Sequence, residues 1–147
     1  MQEYNVIMVY NMDLDKLLMC KRNKDPYKGL YNLVGGKIEP GEDGLVAAYR
    51  ELCEETGISN KDIILKHLMD FKYYYQDCYV EVYVGRLKHH VNLVEEVHEL
   101  FWSDLKHDFF DMNIYAGEGN IGHMIEQVNM YRDTILGEKI FSNKQTI

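Results

Sequence analysis

Residues 36–58, GKIEPGEDGLVAAYRELCEETGI, constrain the fold and the chemistry of this chain more than any other segment. Their second half, residues 45–56, contains good helix formers and no proline. It follows Asp43, a residue type that can cap the start of a helix, and it precedes Gly57, a residue type that often ends one. The pattern therefore predicts a helix over residues 45–56.

The helical period divides this predicted helix into two faces. The apolar face is expected to hold Leu45, Ala48, Tyr49, Leu52, Cys53 and Thr56. The opposite face carries the carboxylates of Glu51, Glu54 and Glu55, which the i, i+3 and i+4 spacing makes neighbours. Like charges at this spacing repel, so the cluster gains stability only when a cation neutralises it. Mg2+ suits this role because it binds carboxylate oxygens and bridges to phosphates, whereas a solvated acidic surface is the simpler alternative.

The residues before the helix favour the cation. A short strand is predicted over residues 31–34, a turn at Gly35 and Gly36, and a second turn at Pro40 and Gly41. Glycine allows the backbone to come close to a ligand, so the carbonyl of Gly36 is a further candidate oxygen ligand for the metal.

The same segment resembles the signature of the Nudix (MutT-type) hydrolases, G-x5-E-x7-R-E-U-x-E-E-x-G-U, in which U is apolar. The fixed positions are all matched, by Gly36, Glu42, Arg50, Glu51, Leu52, Glu54, Glu55, Gly57 and Ile58. The resemblance implies a Mg2+-dependent pyrophosphohydrolase, with Mn2+ as a substitute ion, that acts on a nucleoside diphosphate linked to another group.

The resemblance also implies a role for each matched polar residue. Glu51, Glu54 and Glu55 would hold the metal together with the carbonyl of Gly36. Glu42 would assist the metal site, and Arg50 would orient a glutamate. Arg50 lies one helical turn before Glu54, which is a suitable spacing for an ion pair between them.

The rest of the chain predicts an α/β fold with a mixed sheet between helices. Strands are predicted over residues 4–10, 16–21, 31–34, 62–74, 79–87 and 98–102, and a second long helix over residues 120–136. The resemblance implies the same arrangement, an α/β/α sandwich, and the length favours a single domain over residues 1–147. The segment after Gly137 is polar and is predicted to be mobile.

Composition restricts the partners and the location. The net charge of −8 and the absence of a basic block disfavour nucleic acid but allow a small nucleotide bound with Mg2+. The odd number of cysteines, which lack metal or redox spacing, is typical of a reduced cytoplasmic protein. No apolar run approaches membrane-spanning length and no signal peptide is apparent, so no membrane partner is expected. A homodimer is plausible for the family.

Two flanking loops offer further candidate residues. Arg22 lies with Lys24 and Lys28 in a polar loop ahead of the glycines, where surface solubility is the main explanation of such bases and phosphate contact the alternative. Glu96 stands six residues before Trp102, a spacing similar to that of bacterial MutT proteins. A carboxylate on a mobile loop could take the proton of the attacking water, but a solvated loop acid explains it equally well.

A second resemblance bears on the nucleobase. Tyr31 and Asn32, followed by the two glycines and Lys37, resemble the W-N-x-x-G-G-K segment of the mammalian oxidised-purine nucleoside triphosphatases, in which that asparagine contacts the purine. Here Tyr replaces Trp, and the paired acids of that family have no clear match, although Asp111 or Glu118 lies in the region. Asn32 is therefore either a base contact or an ordinary turn amide, and Lys37 is a candidate substrate contact.

Two classes of function remain open. The complete set of glutamates favours a hydrolase, with oxidised or ordinary purine (d)NTPs as substrates and a monophosphate plus pyrophosphate as products. Dinucleoside polyphosphates and nucleotide sugars are the alternative substrates. The rival class is a nucleotide-binding module that keeps the fold without the chemistry, because a fold alone does not establish a function.

Overall fold

The computed structural model describes residues 1–137, which form a seven-stranded mixed sheet with helices on both faces. The strands are β1 (Gln2–Tyr10), β2 (Lys16–Lys21), β3 (Tyr31–Asn32), β4 (Val34–Lys37), β5 (Lys66–Tyr73), β6 (Cys78–Arg86) and β7 (Glu99–Asp104). The helices are α1 (Gly44–Thr56), α2 (Asn120–Met130) and α3 (Arg132–Leu136). None of these helices is long and apolar enough to cross a membrane. The segment that the sequence predicts to be mobile, after Gly137, lies outside the described residues.

Strand β1 organises the sheet. It pairs in parallel with β6 along its whole length, and it pairs antiparallel with β4 and, next to the first turn, with β2. Strand β5 adds to the far side of β6, while β3 and β7 pair with β2. This central position explains why its last four residues, Ile7, Met8, Val9 and Tyr10, are fully buried.

Alternate residues of β1 belong to two separate cores, as the two-residue repeat of a strand requires. Met8 and Tyr10 pack with the apolar residues of α2. Ile7 and Val9 pack with the apolar residues of α1. Helices α1 and α2 therefore cover opposite faces of the sheet, which confirms the predicted α/β/α arrangement.

The ends of α1 are fixed as the sequence predicts. The side chain of Asp43 accepts a hydrogen bond from the N–H of Val46 at 3.1 Å. Gly57 takes a left-handed conformation with φ of 81°, and its N–H donates to the carbonyl of Cys53 at 2.9 Å. Loss of a cap such as Asp43 typically costs about 1 kcal/mol, so these contacts help to fix the helix that carries the glutamates.

The predicted glycine turn is wrong. Gly35 and Gly36 lie inside β4, in register with Val6 and Asn5 of β1. The strand continues because the carbonyl of Asn5 occupies the space that a Cβ on Gly35 would need, so the missing side chain permits close pairing rather than a turn.

Two other predicted elements also change. The helix predicted over residues 120–136 is divided at Tyr131, whose φ of −119° and ψ of 31° are not helical. The strand predicted over residues 62–74 begins only at Lys66.

The buried face of α1 also differs from the prediction. The buried residues are Ala47, Ala48, Leu52 and Thr56. Cys53, which was expected on the apolar face, is exposed, and Leu45 is 40% exposed. The helix is rotated so that Glu51 and Glu55 are partly buried against the sheet, and only Glu54 points to solvent. This rotation is possible because the glycines of β4 present no side chains there.

Candidate active site

Two carboxylates of α1 lie against the bare backbone of β4. A Cβ on Gly36 would collide with the carboxylate of Glu51. The backbone N–H of Gly35 faces the carboxylate of Glu55 closely enough to lower its pKa. Any side chain at position 36 would displace Glu51, so glycine is required there for Glu51 to lie on the sheet.

Burial and mutual repulsion make these two acids hard to ionise. Burial raises the pKa of Glu51. Burial, followed by the charge of Glu51, raises the pKa of Glu55 to about 7, although the Gly35 N–H and the charge of Arg22 act in the opposite direction. Like charges in a partly buried place are unfavourable near neutral pH. The protein alone therefore leaves negative charge here that a cation would neutralise.

The guanidinium group of Arg50 contacts three carboxylates and one carbonyl. Its Nε and Nη2 donate to the two oxygens of Glu42 at 2.8 and 2.9 Å. Its Nη1 lies 3.0 Å from Glu51 Oε1 and 3.3 Å from Glu54 Oε2. Its Nη2 also donates to the carbonyl of Lys37 at 3.1 Å. The contact with Glu54 that the sequence predicts is present, but Glu42 and Glu51 are the closer partners.

Glu42 is held firmly in its ionised form. The hydrogen bonds from Arg50, with a further one from the N–H of Glu39, lower the pKa of Glu42 to about 2. Both of its oxygens are occupied by these donors. In this arrangement Glu42 acts on Arg50, and through Arg50 on the acids of α1.

The structure brings Arg22 toward the site but not the other substrate candidates. The charge of Arg22 lowers the pKa of Glu55, and its Nε donates to the carbonyl of Pro26 at 2.7 Å. The Oδ1 of Asn32 accepts from the N–H of Leu33 at 2.8 Å, which is a local backbone contact. The side chain of Lys37 is exposed, and only its carbonyl meets the site.

The loop acid Glu96 is not bonded to the glutamates of α1, although its loop is joined to the end of α1 by the hydrogen bond from the Val94 N–H to the Thr56 carbonyl at 2.9 Å. It is exposed, and within residues 1–137 it forms no hydrogen bond or ion pair. Its neighbour Glu95 instead accepts a hydrogen bond from the N–H of Leu100 at 2.6 Å, which fixes the loop at the start of β7.

Two polar contacts near the site were not anticipated from the sequence. Asn5, a buried residue of β1, accepts a hydrogen bond from the N–H of Gly36 at 3.0 Å. The only local indication is a polar residue directly before the apolar run of residues 6–10. The second contact joins Tyr27 to Glu118 at 2.6 Å, and a separation of 91 residues hides it from local pattern.

The bond between Tyr27 and Glu118 ties the Arg22 loop to the segment before α2. Gln76 donates to the same Glu118 oxygen at 3.2 Å. Glu118, which lies in the region of the paired acids of the oxidised-purine triphosphatases, therefore already accepts two hydrogen bonds within the protein. Tyr27 and Glu118 have positive φ angles of 69° and 56°. That conformation costs a residue with a side chain roughly 1–2 kcal/mol, so the contact maintains strained backbone at both ends.

Replacing Tyr27 by Phe is expected to loosen this loop without disturbing α1. A hydrogen bond to a charged group is worth about 1.5–3 kcal/mol, so amide exchange at Gly29 and Leu30 should quicken roughly 10–100-fold. The N–H groups of both residues are bonded inside the loop, to Arg22 and Tyr27 carbonyls, and so report on its opening. The amide of Ala47 in α1 serves as the internal control. Unchanged exchange in the loop would contradict the role of the contact.

Comparison with known proteins establishes the family. The NUDIX domain profile matches residues 2–113. The chain belongs to the Nudix family. A curated relative, the RNA pyrophosphohydrolase of Pelagibacter ubique, is 45% identical over 58 residues, which is 40% of this chain and 35% of that protein. The ADP-ribose pyrophosphatase of Methanocaldococcus jannaschii is 45% identical over 47 residues, 32% of this chain and 28% of that protein. The matches span about a third of these relatives' length.

Solved Nudix structures share the fold of this chain. An Ap4A hydrolase of C. elegans has a TM-score of 0.71 at 18% identity and covers 89% of this chain and 97% of its own. The NUDIX domain of Shewanella oneidensis NrtR, solved with ADP ribose, has a TM-score of 0.67 at 17% identity, covering 88% and 86%. A MutT protein of Methanosarcina mazei has a TM-score of 0.67 at 18% identity, covering 88% and 94%. At these low sequence identities, the similarity shows a shared fold and nothing more specific.

Nudix hydrolases generally use divalent metal ions, and the donor set of this chain fits one. Among residues 1–137, no three His, Cys, Asp or Glu side chains lie together as a group that could hold a metal ion. Glu51 is instead bonded to Arg50, and the side chain of Glu54 is 59% exposed. The chemistry is nevertheless suitable, because the donors are all oxygens and the charges of Glu51 and Glu55 repel each other. The missing side chain at Gly36 lets the Glu51 carboxylate lie directly on the backbone whose carbonyl is the further candidate ligand.

Proposed function

We propose that this chain is a metal-dependent Nudix hydrolase that cleaves a diphosphate bond in a nucleoside di- or triphosphate derivative, with residues 1–147 as one catalytic domain. The observation that carries the proposal is the pair Glu51 and Glu55, two acids with raised pKa values held on glycine backbone. Such a pair is unfavourable in the free protein and becomes favourable when a divalent cation binds. Mg2+ is the proposed ion, and Mn2+ is its substitute.

The roles of the residues follow from their contacts. Glu51, Glu54 and Glu55 would hold the metal with the carbonyl of Gly36. When bound, the metal supplies charge neutralisation of the diphosphate and a water that ionises near neutral pH. Arg50 orients Glu51 and Glu54, because one guanidinium group contacts both.

Flanking residues complete the proposed site. Glu42 fixes Arg50 from the opposite side, and Arg22 is the proposed phosphate contact because its charge already reaches Glu55. Glu96 stays a prediction as the acceptor of the water proton; its loop already meets the end of α1 through the hydrogen bond from the Val94 N–H to the Thr56 carbonyl.

The proposed substrates are purine (d)NTPs, including oxidised purines, which would give a monophosphate and pyrophosphate. Asn32 would read the purine edge after leaving the Leu33 N–H, and Lys37 would contact the substrate from its exposed position. Dinucleoside polyphosphates and nucleotide sugars are the alternatives. A cytoplasmic location, a homodimer and the absence of a nucleic acid partner stay predictions.

A nucleotide panel tests the proposal. The full chain is mixed with Mg2+ or Mn2+ and with (d)NTPs, 8-oxo-purine nucleotides, dinucleoside polyphosphates, ADP-ribose and 5′-triphosphorylated RNA, and the products are separated by ion exchange. At least one diphosphate compound should be cleaved, and Glu54→Gln should lower turnover by about 100-fold or more, since metal-held charge stabilisation is worth several kcal/mol. Glu39→Gln, an exposed acid outside α1, is the matched control.

Two results would count against hydrolysis. Nucleotide binding without cleavage of any compound in the panel would favour the non-catalytic binding module. Full turnover in the Glu54→Gln protein would refute the metal-ligand assignment even if a substrate were found.

A further inference from the structure

Asn5 is a buried polar residue at the centre of the sheet. Its exposed fraction is 2%, and the next residues on the same face of β1, Ile7 and Val9, are apolar and fully buried. The strand register places Asn5 between Gly36 of β4 and Glu81 of β6. Burial of an amide is costly unless its donors and acceptors are paired, so its presence here requires a reason.

The amide of Asn5 uses one end and leaves the other unpaired. Its Oδ1 accepts the hydrogen bond from the N–H of Gly36 at 3.0 Å. Because the group facing Asn5 is a donor, the atom that meets it must be the oxygen, which fixes the orientation of the amide. Its Nδ2 is buried and has no hydrogen-bond partner among residues 1–137. Within residues 1–137, the bond from the Gly36 N–H is therefore the hydrogen bond that this buried amide makes.

That bond acts on the residue that also touches Glu51. The Asn5 amide holds Gly36 by its N–H, while the Glu51 carboxylate lies where a Cβ on Gly36 would be. Gly36 has no side chain to restrict its φ and ψ, so the direction of its carbonyl depends on its backbone partners. Asn5 therefore restrains the backbone on which both Glu51 and the Gly36 carbonyl depend.

We propose that Asn5 is a positioning residue for the metal site: its Oδ1 fixes Gly36 so that the Gly36 carbonyl and the Glu51 carboxylate bind the same cation. This role rests on the proposed function, since it requires the cation. It differs from a packing role, because an apolar residue of similar shape would fill the same space but could not accept the hydrogen bond from the Gly36 N–H.

A Mn2+ titration tests the proposal. The full chain is titrated at pH 8 without nucleotide, and free Mn2+ is measured by electron paramagnetic resonance. Asn5→Leu has nearly the same shape as Asn and removes the acceptor. It is expected to raise the Mn2+ dissociation constant about 10–100-fold, the usual effect of losing a residue that orients a metal ligand. Its urea midpoint should change little, because the unpaired Asn5 Nδ2 is removed while the Gly36 N–H loses its acceptor. Asn5→Asp keeps an oxygen facing Gly36 and should bind Mn2+ at least as tightly as the wild type.

Control variants separate this proposal from the proposed function. Ile7→Val lies on the same face of β1 and should lower the urea midpoint without changing Mn2+ affinity. Glu51→Gln should abolish binding at the site. If wild type and Glu51→Gln both fail to bind Mn2+, the metal site itself is refuted. If Glu51→Gln loses binding while Asn5→Leu keeps wild-type affinity, only the role of Asn5 is overturned.

Folding of the variants is checked by circular dichroism. Asn5→Ala replaces Asn5→Leu if the larger side chain prevents folding, and the same rise in the dissociation constant is expected. Should neither fold, Asn5→Asp decides the matter, since weakened Mn2+ binding in that protein would overturn the proposal.

Discussion

Replacing Glu55 by Gln is expected to stabilise the metal-free protein at pH 8 while it lowers turnover by about 100-fold or more. Burial and the neighbouring Glu51 raise the pKa of Glu55 from 4.5 to about 7 in the folded protein. The folded state therefore binds this proton more tightly than the unfolded state, whose pKa stays near 4.5. Its contribution to stability is complete at low pH, is lost as the pH rises from 4.5 through 7, and is absent above that. Gln cannot ionise, so the Glu55→Gln protein does not lose this stability as the pH rises.

Urea unfolding at pH 5 and pH 8 measures the effect. At pH 8 the Glu55→Gln protein should exceed the wild type by about 1–3 kcal/mol in free energy of unfolding, after allowance for solvent screening of a partly exposed group. At pH 5 the gain should be much smaller, because the wild-type acid is then largely protonated. Glu126→Gln, an exposed acid of α2, should be neutral at both pH values. If the Glu55→Gln protein is no more stable than the wild type at pH 8, the claim that the ionised pair Glu51 and Glu55 destabilises the metal-free protein is contradicted.

Metal addition should reverse the order of stability. A cation that binds only the folded state stabilises it by mass action, so Mn2+ should raise the unfolding midpoint of the wild type. The Glu55→Gln protein, with one donor neutralised, should gain little. Turnover of any substrate found in the panel should fall by about 100-fold or more in the variant, since charge stabilisation by a bound metal is lost. The pair Glu51 and Glu55 would thus lower the stability of the metal-free protein while it provides the metal site, a recurrent pattern in active sites.

The parts of the site that the sequence predicts are those set by local geometry. The spacing of Glu51, Glu54 and Glu55 brings the three acids together on any helix, and Asp43 and Gly57 mark its ends without knowledge of the sheet. The helix rotation is not local. It depends on the empty space over the glycines of β4, so neither the exposure of Cys53 nor the burial of the acids could be predicted.

Long-range pairing explains the other omissions. Asn5 and Gly36 are 31 residues apart, and only the antiparallel register of β1 and β4 places one opposite the other. Gly35 and Gly36 were misinterpreted for the same reason. Considered locally, two glycines favour a turn, but next to β1 they allow two strands to pair closely. Sequence patterns predict element types more reliably than the contacts between distant elements.

Replacing Arg50 by Met is expected to impair both stability and catalysis. The guanidinium group is the cation shared by Glu42, Glu51 and Glu54, and its loss leaves those carboxylates to repel one another. Hydrogen bonds to charged groups contribute about 1.5–3 kcal/mol, so a loss of roughly 2–3 kcal/mol at pH 8 is expected from urea unfolding. Adding Glu42→Gln should recover part of this stability but none of the turnover, since the double variant still lacks the group that orients Glu51.

Arg50→Lys separates charge from geometry. An ammonium group keeps the positive charge, but it cannot bind both oxygens of Glu42 while also reaching Glu51 and the Lys37 carbonyl, as the guanidinium group does. Stability between the wild type and the Met variant is therefore expected, with turnover close to that of the Met variant. Wild-type turnover in the Lys variant would show that charge alone suffices and would refute an orienting role.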